Sequence, residues 1–272
     1  VDFPGRREGW LVTDAGTVLS SADGGTGWTV RKKARLRMTA VAATDADHVW
    51  VLGNAVGAAG EPGASAVLRS EDGGGTWERR PFGDALLADI DFADQRHGWL
   101  VALDRIWTTS DGGRSWRRRK QLGMAVLTGV TSSDRRHAFV AGWGTLDGAP
   151  FVLTTSDGGR TWSRRRIDLE APVAGDLQSR QITCAGDDVL WVTCKAGVMA
   201  TTDAGRTWKL QEVPAGQPLG IAAADAKHVL ATTDGQPMLS SSDGGATWRA
   251  YGNDDFLKQG LVAISAVSAA AE

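Results

Sequence analysis

The side chains that could do chemistry in this chain are few and scattered. Its four histidines, His48, His97, His137 and His228, stand in the strings HVW, HGW, HAF and HVL, always just ahead of an apolar stretch. A residue type that recurs at one place in a repeating pattern belongs to the scaffold, so these are expected to be structural. The glutamates are Glu8, Glu61, Glu71, Glu78, Glu170, Glu212 and Glu272, and the single tyrosine is Tyr251. Asp89 and Asp91 are an acidic pair on an apolar stretch, and strand alternation puts them on the same side. Glycoside hydrolysis would need two carboxylates facing each other across a pocket, so this pair reads as solvated. No His, Cys and carboxylate set has the spacing of a metal site, and no glycine-rich phosphate loop leads from a strand into a helix. Neither a metal nor a cofactor is expected.

What the sequence does concentrate is positive charge. The runs are RKKARLR (31–37), Arg79 and Arg80, Arg117 to Lys120, Arg164 to Arg166, and the single Lys209 and Arg249. Together they hold more than half of the 30 basic residues of a chain whose net charge is −2. Such a balance gives no global field toward nucleic acid or membrane, so any electrostatic attraction is local.

Each run follows a turn signature and a tryptophan. The copies are SADGGTGW, SEDGGGTW, TSDGGRSW, TSDGGRTW, TTDAGRTW and SSDGGATW, with aspartates Asp23, Asp72, Asp111, Asp157, Asp203 and Asp243. Ser, Thr and Asp side chains hold tight turns by bonding nearby backbone N–H groups, and Gly supplies positive φ. Trp28, Trp77, Trp116, Trp162, Trp208 and Trp248 then open the next strand as packing residues. Upstream of each signature lie three short apolar stretches, so each repeat holds four strands, and a period of 40–50 residues with four strands is a propeller blade.

The expected fold is therefore all-β: a single domain over 1–272, a six-bladed β-propeller of four-stranded antiparallel blades. The repeats fall near 1–37, 38–85, 86–123, 124–175, 176–217 and 218–260. VDFPGRREGWLV at the start aligns with IDFADQRHGWLV (90–101), so the chain begins inside a first strand. The tail 261–272 is expected to close the ring, the alternative being a truncated seven-bladed propeller. No apolar run reaches transmembrane length. The start at Val1 reads as processed or trimmed, with the address removed.

Cys184 and Cys194 lie on two strands of one hairpin. Pairing Cys184 with Trp191, as Phe92 with Trp99, puts the thiols on opposite faces and argues against a disulfide, and a one-residue slip would change the face. Antiparallel order puts the histidine turns and the Asp turns at one end of each blade and the other loops at the opposite end. Those loops include 53–65, 142–150, 168–176 and 252–260, and their varied lengths suit binding. Trp143 lies outside every repeat position and is expected on a glycine-rich loop as an anchor. The partner-binding candidates are thus Arg79, Arg80, Arg117, Arg118, Arg119, Arg164, Arg165, Arg166 and Trp143, receiving a protein with acidic surface. The bland alternative for the arginines is a solvated strand edge.

The signature [ST]-x-D-x-G-x-x-W resembles the Asp-box (BNR) repeat. The longer pattern, as in FADQRHGWLVALDRIWTTSDGGRSW, is similar to the photosystem II stability/assembly factor-like branch of these propellers. That resemblance implies a non-catalytic scaffold, an assembly or stability factor for a membrane-protein complex, working outside the cytoplasm without inserting into the membrane or binding nucleic acid. It also implies an arginine patch for the partner, although photosynthetic members have seven blades. The alternative is a sialidase-like glycoside hydrolase or a carbohydrate-binding propeller. Sialidases use an arginine triad, a Tyr nucleophile with a Glu partner and an Asp acid. Here the early Arg-Ile-Pro signature is missing and Tyr251 falls on an outermost strand.

Overall fold

The structure is a computed structural model that describes residues 1–55, 64–83, 85–169, 176–214, 216–234 and 236–251. These residues form strands and turns only, and among them no helix is long and apolar enough to cross a membrane. The chain clusters into two units, Val1–Gly123 and Met124–Glu272.

The first unit holds three sheets. Sheet 1 is β1 (Gly9–Val12), β2 (Thr17–Ser21) and β3 (Thr29–Lys33). Sheet 2 is β4 (Arg37–Ala43), β5 (Val49–Asn54), β6 (Ser65–Ser70) and β7 (Glu78–Gly83). Sheet 3 is β8 (Asp89–Phe92), β9 (Gly98–Ala102), β10 (Arg105–Thr109) and β11 (Arg117–Gln121). Sheet 1 has three strands rather than the expected four, but its first-strand place is taken by Asp2, which exchanges both backbone hydrogen bonds with Trp10 (2.8 and 2.7 Å). Asp2 is thereby the counterpart of Asp91, which pairs with Trp99.

The second unit repeats the plan. Sheet 4 is β12 (Ala125–Ser132), β13 (Ala138–Gly144), β14 (Pro150–Thr155) and β15 (Ser163–Arg166). Sheet 5 is β16 (Ile182–Ala185), β17 (Val189–Cys194), β18 (Gly197–Thr201) and β19 (Lys209–Gln211). Sheet 6 is β20 (Pro218–Ala223), β21 (Val229–Thr233), β22 (Gln236–Ser241) and β23 (Arg249–Tyr251). The fold is that of a six-bladed β-propeller. The expected closing strand at 261–272 lies outside the described residues.

Blades of this kind cohere because each sheet is apolar on both faces. Second and third strands read as nearly unbroken apolar runs, β5 and β9 being buried throughout. The core therefore lies between consecutive sheets. Trp10, Val51 and Leu68 share one cluster between sheets 1 and 2; Trp50, Phe92 and Leu100 share the next. In the second unit the corresponding clusters centre on Val192 and Trp208, and on Trp191 and Trp248. Trp50 stacks on Phe92 with centroids 3.6 Å apart, and its indole N–H donates to the carbonyl of Gly112 in the next sheet at 2.8 Å. Trp191 makes the same bond to Gly244 at 2.9 Å. A buried indole thus latches one blade to the turn of the next, with apolar area and a satisfied N–H in one residue.

The register corrects the reading of the cysteines. Phe92 pairs with Gly98 and Cys184 with Leu190, one residue away from the expected partners. Leu190 and Cys194 are four residues apart on β17, so both thiols face the same cluster rather than opposite faces. No disulfide joins them, because four residues of strand separate them by about 13 Å, far beyond disulfide reach.

Candidate partner-binding surface

The Asp turns come first, because they aim the strands that carry the arginines. In the third copy the Thr109 hydroxyl donates to Asp111 Oδ1 (2.8 Å) and accepts the Gly113 N–H (2.9 Å). Asp111 then accepts the Ser115 N–H (2.9 Å) and hydroxyl (2.6 Å). The same bonds recur at Asp72, Asp157, Asp203 and Asp243, while at Asp23 the place of the last hydroxyl is taken by Gly27. The backbone N–H of Thr76, its hydroxyl and that of Ser70 hold the Asp72 carboxyl down to about 2. Asp157 and Asp243 are held down to about 2 in the same way, by Thr161 and by Thr247. These carboxylates are spent on the backbone.

A second turn, at the other hairpin of the same end, is written in the sequence as Asp-x-x-His. Each histidine stands three residues after an aspartate. His48, His97, His137 and His228 place Nδ1 against Asp45, Asp94, Asp134 and Asp225 at 2.8–2.9 Å, while each aspartate accepts the histidine's own N–H. The Asp turns lean on these turns: Gly112 donates to the Arg96 carbonyl and Gly158 to that of Arg136, both at 2.9 Å. Both turn types thus share one end of each sheet, as antiparallel order requires. Asp187 adds a third ligand atom beside Asp134 and His137, all within 4.8 Å of one another, a grouping that sequence spacing did not reveal. It stands where Gln95 bonds Asp45 in sheet 2, so it elaborates the same turn.

The signature tryptophans are less enclosed than expected. Trp208 and Trp248 are buried, while Trp28, Trp77, Trp116 and Trp162 are half-buried. Trp28, Trp77, Trp162 and Trp208 donate their indole N–H to the carbonyl of the glycine three residues before them at 3.0–3.2 Å.

The candidate arginines all fall on fourth strands, and the structure sorts them. In the first unit Arg80 pairs with Glu78 (2.9 Å) and Arg79 reaches the Ala64 carbonyl (3.5 Å). Arg119 occupies a bulge and donates to the Thr108 hydroxyl (2.8 Å), as Arg31 does to Ser20. Arg117 and Arg118 are exposed with no carboxylate at ion-pair distance among the described residues. In the second unit Arg164 lies over the Phe151 ring at 3.9 Å and Arg166 pairs with Asp168 (3.1 Å) and Asp147 (3.6 Å). Arg165 is exposed and donates to the Ala204 carbonyl at 3.4 Å.

Trp143 is not on a loop. It lies within β13, paired with Val126 and Pro150, and is half-buried, because the glycine-rich loop closes one residue later. Gly144 donates to the Ala149 carbonyl (3.0 Å), and the turn presents Leu146 at 82% exposure. Thr145 donates to the Met124 carbonyl, which brings Met124, 71% exposed, beside it. Leu146 and Met124 are the apolar tips that the repeat logic had not singled out. Of the other variable loops, 56–63, 170–175 and 252–260 lie outside the described residues. Tyr251 is on β23, a fourth strand, and Asp89 and Asp91 are half-buried on one face of β8.

Four-stranded blades, a repeated Asp turn and blade-to-blade indole latches define an Asp-box β-propeller. The family model described as photosynthesis system II assembly factor YCF48 matches residues 1–86 and 122–266, and the chain belongs to that family. Similar solved structures include YCF48 bound to D1 peptide, with TM-score 0.65 and 19% identity over 92% of this chain and 78% of that one. YCF48 from Cyanidioschyzon merolae aligns with TM-score 0.63 and 22% identity over 92% and 83%. A GH74 xyloglucanase from Xanthomonas campestris aligns with TM-score 0.70 and 18% identity, over 93% of this chain and 45% of the enzyme. No curated protein sequence matches the chain.

Proposed function

We propose that this protein is a non-catalytic scaffold that takes an exposed acidic segment of a membrane-protein complex and supports its assembly or stability. Family membership supports the class, and a structural relative has been solved with a D1 peptide. The observation that carries the reading for this chain is the exposed guanidinium pair of Arg117 and Arg118 on β11, with no carboxylate at ion-pair distance among the described residues, beside an Asp111 whose carboxylate is taken up by its own turn. Guanidinium forks bind carboxylates bidentately, which suits an acidic peptide. The GH74 likeness is one of fold alone, and the paired carboxylates Asp89 and Asp91 share one strand face, which does not suit acid–base hydrolysis. The compartment that goes with this reading is extracytoplasmic, tested by fractionation of the host.

The direct test is association of purified protein with an immobilised Asp/Glu-rich peptide. Exposed charges are screened over about 8–10 Å at ordinary ionic strength, so association should slow several-fold as salt is raised. Arg117→Glu with Arg118→Glu should slow it further. Equal rates at low and high salt and in the double variant would leave the arginines as a solvated edge. Turnover of xyloglucan by the purified chain would move it to the enzyme class.

A further inference from the structure

The fourth strands end alike, and one of them leaves a space. Beyond the last paired residue the chain of sheet 4 continues with Ile167 and that of sheet 5, one residue further, with Val213, while in sheet 2 Phe82 stands in the bulge between the paired Pro81 and Gly83. Each covers a pair on the following sheet, one residue from its third strand and its signature tryptophan. Phe82 meets Trp107 and Trp116 edge-on at 5.6 and 5.9 Å. Ile167, 3% exposed, shares a cluster with Met199 and Trp208, and Val213 packs on that of Leu239 and Trp248.

In sheet 1 the same place is held by Ala34. Its N–H bonds the Gly16 carbonyl at 2.8 Å, as that of Ile167 bonds Pro150 at 2.9 Å, so the backbone is equivalent and only the side chain is missing. Over the corresponding pair, Leu68 and Trp77, lies a cleft of about 370 Å³ floored also by Leu36. Its rim is Lys32, Lys33, Arg35 and Arg79, and among the described residues no acid lines it. The floor is preformed: Trp77 donates its N–H to Gly74 at 3.0 Å and packs edge-on against Trp10 at 6.2 Å.

We infer that this cleft is a binding site for one large apolar side chain flanked by carboxylates in a partner peptide. The volume, at the low end of ligand pockets, suits a side chain and its neighbouring acid rather than a cofactor. The apolar floor rewards burial of the side chain, and four cations on the rim select acidic flanks. A nucleic-acid backbone would use the rim and leave the floor bare. This deepens the peptide-binding reading and rests on it.

The test uses two fluorescein-labelled peptides, Gly-Glu-Asp-Phe-Asp-Glu-Gly and the same peptide with Ala for Phe. Wild type should bind the Phe peptide at least about ten-fold more tightly, the scale of a modest hot spot. Ala34→Phe, which copies sheet 2, should abolish that preference, leave the Ala peptide bound as before and not lower the melting temperature. Ala34→Leu should do the same and guards against a clash particular to the ring. On wild type, a photo-reactive benzoylphenylalanine in place of Phe should cross-link within residues 32–36 or 68–79. A preference that survives both substitutions, or a cross-link elsewhere, overturns the cleft while sparing the broader reading. Failure of wild type to bind either peptide overturns both.

Discussion

The Asp turns and the fourth strands are consecutive in sequence and treat charge in opposite ways. In TSDGGRSWRRRK the Asp111 carboxylate takes hydrogen bonds from Thr109 and Ser115, whereas Arg117 and Arg118, the first two residues of β11, face water with no acid at ion-pair distance among the described residues. A charge consumed by local backbone donors fixes a conformation and has little left for a partner. A charge held out on a rigid strand costs the fold nothing and remains available. The difference separates scaffold from surface within a dozen residues, and each side of it can be broken separately.

The largest loss should come from the latch beneath both. Trp50 is fully buried, stacked on Phe92 and bonded to Gly112, so Trp50→Ala should cost about 3–5 kcal/mol in chemical denaturation. Asp111→Ala removes the acceptor of a turn and should cost about 1–2 kcal/mol, as lost caps do. Acid should have a related effect. Asp72, Asp157 and Asp243 are lowered from an ordinary 3.8 to about 2, so the stability they contribute is complete above pH 4 and lost as pH falls through 2. A melting temperature that is flat from pH 4 to pH 2 would contradict the bonding of these turns.

Smaller still is a gain. The fifth turn reads TTDAGRTW, and Ala204 sits at φ 59° where the other copies have glycine at 65–75°. Ala204→Gly should relieve left-handed strain, offset partly by the entropy of glycine, for a net stabilisation of about 0.5–1 kcal/mol by thermal melting. The smallest effect on stability belongs to the surface: Arg117→Glu with Arg118→Glu should stay within about 0.5 kcal/mol of wild type.

The repeat carried most of the fold into the sequence. Six turns at 40–50-residue spacing dictate blades, because Asp, Gly and Trp at those offsets each have one physical task. The Asp-x-x-His turn was equally written, at four places, and needed only the aspartate to be counted with the histidine. What periodicity does not carry is one-residue register: Cys184 opposes Leu190 because Thr183, not Cys184, takes the place opposite Trp191. Nor does it carry where a strand stops: the glycines around Trp143 suggest a loop, and β13 runs on to Gly144. The arginines were visible as runs, but which of them are tied to Glu78, Thr108 or Asp168 depends on neighbours brought near by folding. The space over Leu68 and Trp77 depends on the short side chain of Ala34 at a place that Ile167 fills in sheet 4, a comparison only the folded blades supply.

The central claim is that scaffold charge and partner charge are separate, and a crossed measurement tests it most directly. Asp111→Ala and the Arg117→Glu, Arg118→Glu double variant are each measured for melting temperature and for affinity toward the Asp/Glu-rich peptide. The expected result is a lowered melting temperature with unchanged affinity of the folded fraction for the first, and unchanged melting with several-fold weaker, salt-dependent binding for the second. If Asp111→Ala weakens binding while fully folded, or if the arginine variant binds as wild type does, the separation is contradicted.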